Sequence, residues 1–141
     1  MDTRNDDTAT AVMARFGKAY FRKDPALLAE VLTEDAQWHF AFGVDVPDGR
    51  VRRGVAGFMQ GIDENAALFE TLRFEDTRCR WLDDATIVMT YQVRGRERGG
   101  SEFALRGVEL ITLQDGRIAR KDVFWKQHRT AFPADGARAN G

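Results

Sequence analysis

Apolar residues recur at helical spacing near the start of the chain. Ala11, Val12, Ala14, Phe16, Ala19 and Tyr20 fall in such a pattern between Thr10 and Arg22, with Thr8 or Thr10 available as the N-cap. Asp24 followed by Pro25 reads as a cap with proline at the first helical position, so a short second helix is expected through Leu27, Leu28, Val31 and Leu32. TEDA then ends it, and AQWHFAF reads as an aromatic-rich strand. GVDVPDGRVRRG carries turn signals at Pro47-Asp48-Gly49 and Gly54 and room for one short strand. A third helix follows from Val55 to about Phe69 through Phe58, Met59 and Ile62, with Gly57 and Gly61 in its interior.

Beyond that point the period changes from helical to alternating. TLRFEDTRCRW, TIVMTYQVRGR, SEFALRGVELITL and RIARKDVFWK are four strand patterns, the last two joined by the two-residue turn signal Asp115-Gly116. Helices first and a curved sheet second make an α+β chain, in which a long sheet can fold around a helical layer and leave a cone-shaped cavity.

Two polar residues break the apolar alternation. Phe103, Leu105, Gly107, Glu109, Ile111 and Leu113 share one strand face, and Ala119, Lys121, Val123 and Trp125 share a face of the next strand. A carboxylate on an inward face must be paired, hydrogen-bonded or neutralised. If the two faces meet, Glu109 and Lys121 form an ion pair beside a cavity walled by Trp125, but a register error of one residue would reverse this. Such a pair serves either proton transfer and charge stabilisation or internal architecture.

Composition narrows the function classes. The 141 residues suit one domain, expected over residues 10–128 between a flexible N-terminus (1–9) and a flexible tail (129–141). With 21 basic against 22 acidic residues the net charge is -1, which argues against nucleic-acid binding. One cysteine excludes an intrachain disulfide, and the chain shows neither a signal-peptide pattern nor an apolar run of membrane-spanning length. A cytoplasmic protein with no membrane partner is expected.

Two histidines, one cysteine and no acidic grouping at ligand spacing predict no metal site and no cofactor. His39 can exchange protons near neutral pH, but it alternates with Trp38 and Phe40 and so points away from their side of the strand; His128 is a weaker candidate. Tyr20, Tyr91, Trp38, Phe40, Phe42, Phe58, Phe69 and Trp125 read either as ordinary core or as the lining for a flat apolar ligand. RVRRG and RGRERGG, the latter beside a Gly99-Gly100 turn signal, read as basic patches on solvated edges or loop rims. No phosphate loop or nucleophile elbow is present.

From about Ala11 to Lys126 the chain resembles the SnoaL-like and ketosteroid isomerase-like group of the nuclear transport factor two superfamily. The likeness rests on VMARF, DPALLAEVLTEDAQWHFAFG, GRVRRGVAGFMQGI and GVELITLQDGRIARKDVFW. It implies a cone-shaped curved mixed sheet wrapped around N-terminal helices as an α+β barrel, a hydrophobic pocket, and a homodimer formed through the outer sheet face. It sets Phe16 where ketosteroid isomerases carry a tyrosine and Phe40 where they carry the catalytic base, which argues against simple steroid isomerisation. Glu109 matches the strand of the oxyanion acid, and Lys121 and Trp125 match pocket positions. The His and Asp roles of polyketide cyclases and dehydratases find no match in the chain, and Arg106, Asp122 and Glu109 do not reproduce the Arg and two Asp of limonene epoxide hydrolase-like members.

The expectation is a cofactor-independent isomerase, cyclase or lyase for a small apolar carbonyl compound. Glu109, Lys121 and His39 are the candidate catalytic residues, and Phe16, Tyr20, Trp38, Phe40, Phe58, Tyr91 and Trp125 the candidate ligand contacts. Two alternatives stand beside it: a non-catalytic binding domain for an apolar small molecule, and a dimeric accessory domain with a vestigial cavity.

Overall fold

Asn5, not Thr8 or Thr10, starts the first helix. In the computed structural model, which describes residues 5–126, the Asn5 side chain accepts the Thr8 amide at 3.1 Å and opens α1 (Asp6–Arg22). Asp6 and Asp7 favour the positive end of the helix dipole, and the hydroxyls of Thr8 and Thr10 donate back to the carbonyls of Asn5 and Asp6. The helix thus begins four residues before the expected Thr10, and Ala9, expected to be frayed, is fully buried. The readings of His128 and of the tail fall outside the described residues.

Asp24 caps α2 (Pro25–Val31) as expected, accepting from the amides of Ala26 and Leu27. TEDA does not end this helix. Thr33, Glu34 and Asp35 already belong to β1 (Leu32–His39), because burying Leu32, Ala36 and Trp38 demands an extended chain. β2 (Val51–Arg53) pairs antiparallel with β1 and leads into α3 (Gly54–Leu68). Arg52 grips Glu64 of α3 through two hydrogen bonds of 2.8 and 2.6 Å, so RVRRG, which forms an edge strand with Arg53 exposed, also ties β2 to α3.

β3 (Phe69–Trp81), β4 (Thr86–Glu97), β5 (Glu102–Gln114) and β6 (Arg117–Trp125) complete one six-stranded mixed sheet of order β2-β1-β6-β5-β4-β3, parallel at β1 and β6 and antiparallel elsewhere. The expected barrel is not closed: β2 and β3 remain edges. Register shifts in β3 between Glu75 and Arg78, where Asp76 has φ 55°, and in β5 between Thr112 and Leu113 mark bulges of the kind that bend and twist a sheet.

Asp115 and Gly116 both have positive φ, as a tight hairpin between β5 and β6 requires. The β4–β5 connection differs from expectation. Glu97 donates its amide to the Ser101 carbonyl across a longer loop in which Gly99, not Gly100, has positive φ.

Phe58, Leu28, Leu32, Ile87, Ile111, Ile118 and Val93 form the fully buried centre between helices and sheet. Gly61 resolves the expected weakness in α3: a Cβ there would lie 2.6 Å from Trp38 Cζ3, so its absence lets the helix press onto the rings of β1. Among the described residues no helix is long and apolar enough to cross a membrane.

Candidate functional site

The sheet register decides the question raised by Glu109 and Lys121. Glu109 pairs with Val123 and Ile111 with Lys121, which makes the two charged residues diagonal neighbours on one face. That face is the inner one. Glu109 and Lys121 are both buried, with Lys121 Nζ 2.9 Å from Glu109 Oε1. The ammonium meets this oxygen as an ion contact and not as a well-directed hydrogen bond. On its other sides Lys121 Nζ lies 4.8 Å from the centre of a Trp38 ring and 5.3 Å from that of Phe16, so aromatic faces share its charge.

The second carboxylate oxygen has its own partner. Tyr91 Oη donates to Glu109 Oε2 at 2.7 Å, and Trp125 Nε1 donates to Tyr91 Oη at 2.9 Å. The result is a directed chain from indole to phenol to carboxylate, closed by the ammonium. Burial, followed by the Glu109 charge, pushes the Tyr91 hydroxyl far above its usual range, so Tyr91 keeps its proton and serves as a hydrogen-bond donor.

This chain borders a cavity of about 270 Å³ between the sheet and the helices. Phe16, Tyr20, Trp38, Phe40, Tyr91 and Trp125 line it. Trp38 and Phe40, two residues apart on β1 and its continuation, stack at 4.1 Å as one flat wall. Phe58 does not line the cavity; it is fully buried behind Trp38 and Phe16, with ring centres 5.4 and 6.1 Å away, and holds those rings in place.

His39 is not among the lining residues either. Strand alternation sends it to the face opposite Trp38 and Phe40, where Nε2 contacts Gln37 Oε1 at 2.9 Å and Nδ1 lies 3.8 Å from Asp48. Burial, then the Arg120 charge, lowers its pKa. Cys79 reaches the cavity, but burial raises its pKa and keeps the thiol protonated, which is unsuited to nucleophilic attack. Among the described residues no group of three or more His, Cys, Asp or Glu could hold a metal ion.

Sequence reasoning missed Asn65 and the role of Gly107. Asn65 continues the buried stripe of α3 after Phe58, Gly61 and Ile62, a helical spacing visible in the sequence, and it lines the cavity. Gly107 sits opposite Tyr91 in the β4–β5 register, and a glycine inside a strand signals a close approach by a neighbour.

The chain belongs to the SnoaL-like domain family, whose sequence profile matches residues 13–121. Its fold is shared with an NTF2-like protein of Burkholderia xenovorans LB400, at 16% identity and a TM-score of 0.72 over 86% of this chain and 92% of that one. A candidate polyketide cyclase of Xanthomonas campestris pv. campestris matches at 22% identity and a TM-score of 0.67 over 87% and 93%. TerC, co-crystallised with polyporic acid, matches at 14% identity and a TM-score of 0.68 over 84% and 92%. No curated protein matches the chain significantly. At these identities the likeness defines the NTF2-like fold, and the chemistry must be argued from the site.

Proposed function

We propose that the protein is a cofactor-independent enzyme, an isomerase, cyclase or lyase, that enolises a small apolar carbonyl compound, with Glu109 as proton shuttle and Lys121 as its electrostatic partner. One observation carries this reading. A buried carboxylate, fixed by Tyr91 on one oxygen and facing Lys121 on the other, borders a mainly apolar cavity rich in aromatic rings. In such surroundings the attraction between the ammonium and a developing oxyanion is stronger than in water.

The chemistry balances without a cofactor. Glu109 takes the proton from the carbon next to the carbonyl, and the electron pair of that C–H bond moves to the carbonyl oxygen as an enolate facing Lys121. Where a C=C conjugates with it, the enolate can regain the proton from Glu109 at the far carbon; it can also attack a second carbonyl in the same molecule, whose oxygen then takes that proton, or expel a β-hydroxyl as water once Glu109 has protonated it. These outcomes are isomerase, cyclase and lyase. The polyketide cyclase name of the Xanthomonas neighbour and the polyporic acid co-crystallised with TerC agree with this class of ligand.

The test is hydrogen–deuterium exchange of 2-tetralone in heavy water, followed by NMR against the buffer rate. Glu109→Gln should lower the enzyme-dependent rate by about 100-fold or more. An unchanged rate would remove Glu109 from its role.

The non-catalytic binding reading has one observation in its favour: both oxygens of Glu109 already have partners. Binding of the ketone without any exchange would decide for it. On the outer sheet face, Val108 and Phe124 are cross-strand partners with 37% and 52% exposure, which supports the homodimer contact; a monomer in sedimentation equilibrium would count against it.

A further inference from the structure

The helical wall of the cavity holds polar chemistry that the Glu109 network does not use. Asn65 of α3 is only 8% exposed and lines the cavity; its Nδ2 donates to Tyr20 Oη of α1 at 2.9 Å, while its Oδ1 is buried with no hydrogen-bond partner among the described residues. Tyr20 also lines the cavity, and among the described residues no acceptor takes its hydroxyl proton. A buried amide oxygen left unsatisfied is a standing desolvation cost, and its neighbours on the same helical stripe, Phe58 and Ile62, are apolar. A bound molecule that supplies the missing partner accounts for the polar residue.

The complement of this pair follows from its donors and acceptors. With Asn65 Nδ2 on Tyr20, the pair offers the Oδ1 acceptor and the Tyr20 hydroxyl proton. With the amide turned over, Tyr20 would donate to Oδ1 and the pair would offer the amide N–H and a phenol lone pair. Either way at least one donor and one acceptor remain. A keto oxygen or a carboxylate only accepts and an ammonium only donates, so each would leave one member unsatisfied. A hydroxyl does both. Burial raises the Tyr20 pKa, so its hydroxyl stays a neutral donor.

We propose that Tyr20 and Asn65 form a hydroxyl-binding subsite, and that the substrate is a hydroxylated carbonyl compound of one or two rings. Its carbonyl faces Lys121 and its alcohol or phenol lies between Tyr20 and Asn65; the placement of the carbonyl rests on the enolising reading above. The cavity volume of about 270 Å³, near the lower end of the ~300–1,000 Å³ usual for small-molecule sites, suits a ligand of this size.

The experiment titrates the full-length protein calorimetrically with 2-tetralone and with its 5-, 6-, 7- and 8-hydroxy derivatives. At least one derivative should bind about tenfold or more tightly than the parent. Asn65→Leu should abolish that preference, and Tyr20→Phe should weaken it, each read as the ratio of derivative to parent affinity within the same variant. No binding by any of the five, no preference in the wild type, or a preference that survives both substitutions would overturn the proposal. Should Asn65→Leu fail to fold, Tyr20→Phe, which removes one oxygen, decides alone. A preference that persists where the wild type shows no deuterium exchange would overturn the enolising reading and leave the subsite standing.

Discussion

Gly107 on β5 stands directly across from Tyr91 on β4, and the missing side chain is what lets the phenol lie over the strand towards Glu109. A Cβ at position 107 would come within 2.6 Å of Tyr91 Cζ and 2.9 Å of its hydroxyl oxygen. Gly107→Ala should therefore displace the ring, break the 2.7 Å hydrogen bond to Glu109 and cost about 1–3 kcal/mol by overpacking. Urea unfolding measures the cost, and wild-type stability in the variant would mean that the ring has room to spare.

Lys121→Met should be among the most destabilising changes at the site. It leaves a buried carboxylate without its cation, and breaking a buried pair from one side costs about 3–5 kcal/mol. Adding Glu109→Gln should restore much of the loss, because the second change removes the stranded charge. A double-mutant cycle by urea denaturation reads the coupling, and strict additivity would mean that the two residues do not act as a pair.

Tyr91 links the site to alkaline pH. Its folded pKa is raised above the ordinary value of 10.0, first by burial and then by the Glu109 charge, so the folded state holds a proton that the unfolded chain releases. The resulting stability is fully present below pH 10 and declines above it, by about 1.4 kcal/mol per pH unit for one such group. Tyr91→Phe should flatten the fall of stability above pH 10. Tyr20, also raised by burial, should add to it, and phenolate absorbance should emerge only together with unfolding.

His39 acts at the other end of the scale. Its pKa is lowered from 6.5 by burial and by Arg120, with Arg53 adding to the effect and Asp122 and Asp48 opposing it; Gln37 completes its surroundings. A histidine held neutral in the fold contributes stability that is present above about pH 6.5 and lost as the pH falls through its lowered value. His39→Gln should reduce the loss of stability between neutral and mildly acidic pH. A thermal unfolding series across that window checks it, and parallel curves for variant and wild type would show that the imidazole titrates as it does in water.

The order of helices and strands was legible because it rests on local signals. Asp24-Pro25 and Asp115-Gly116 act through their own backbone geometry, and the alternation around Glu109 and Lys121 placed both on apolar faces before any contact was known. The start of α1 was misread because Asn5 lies outside the apolar pattern, while the indole of Trp81, distant in sequence, hydrogen-bonds its carbonyl and holds it there.

Hydrophobic periodicity by itself determined which residues share a face, and with it that a carboxylate and an ammonium would have to be accommodated inside the sheet. Only the tertiary structure decided the rest. Period-two alternation cannot say which residues of two strands stand opposite each other, so the diagonal placement of Glu109 and Lys121 waited on the β5–β6 register. Nor can any local pattern bring α1 and α3 together. The meeting of Tyr20 with Asn65, 45 positions apart, and the contrast between Phe40 at the cavity wall and Phe58 behind it come from packing the helices against a bent sheet.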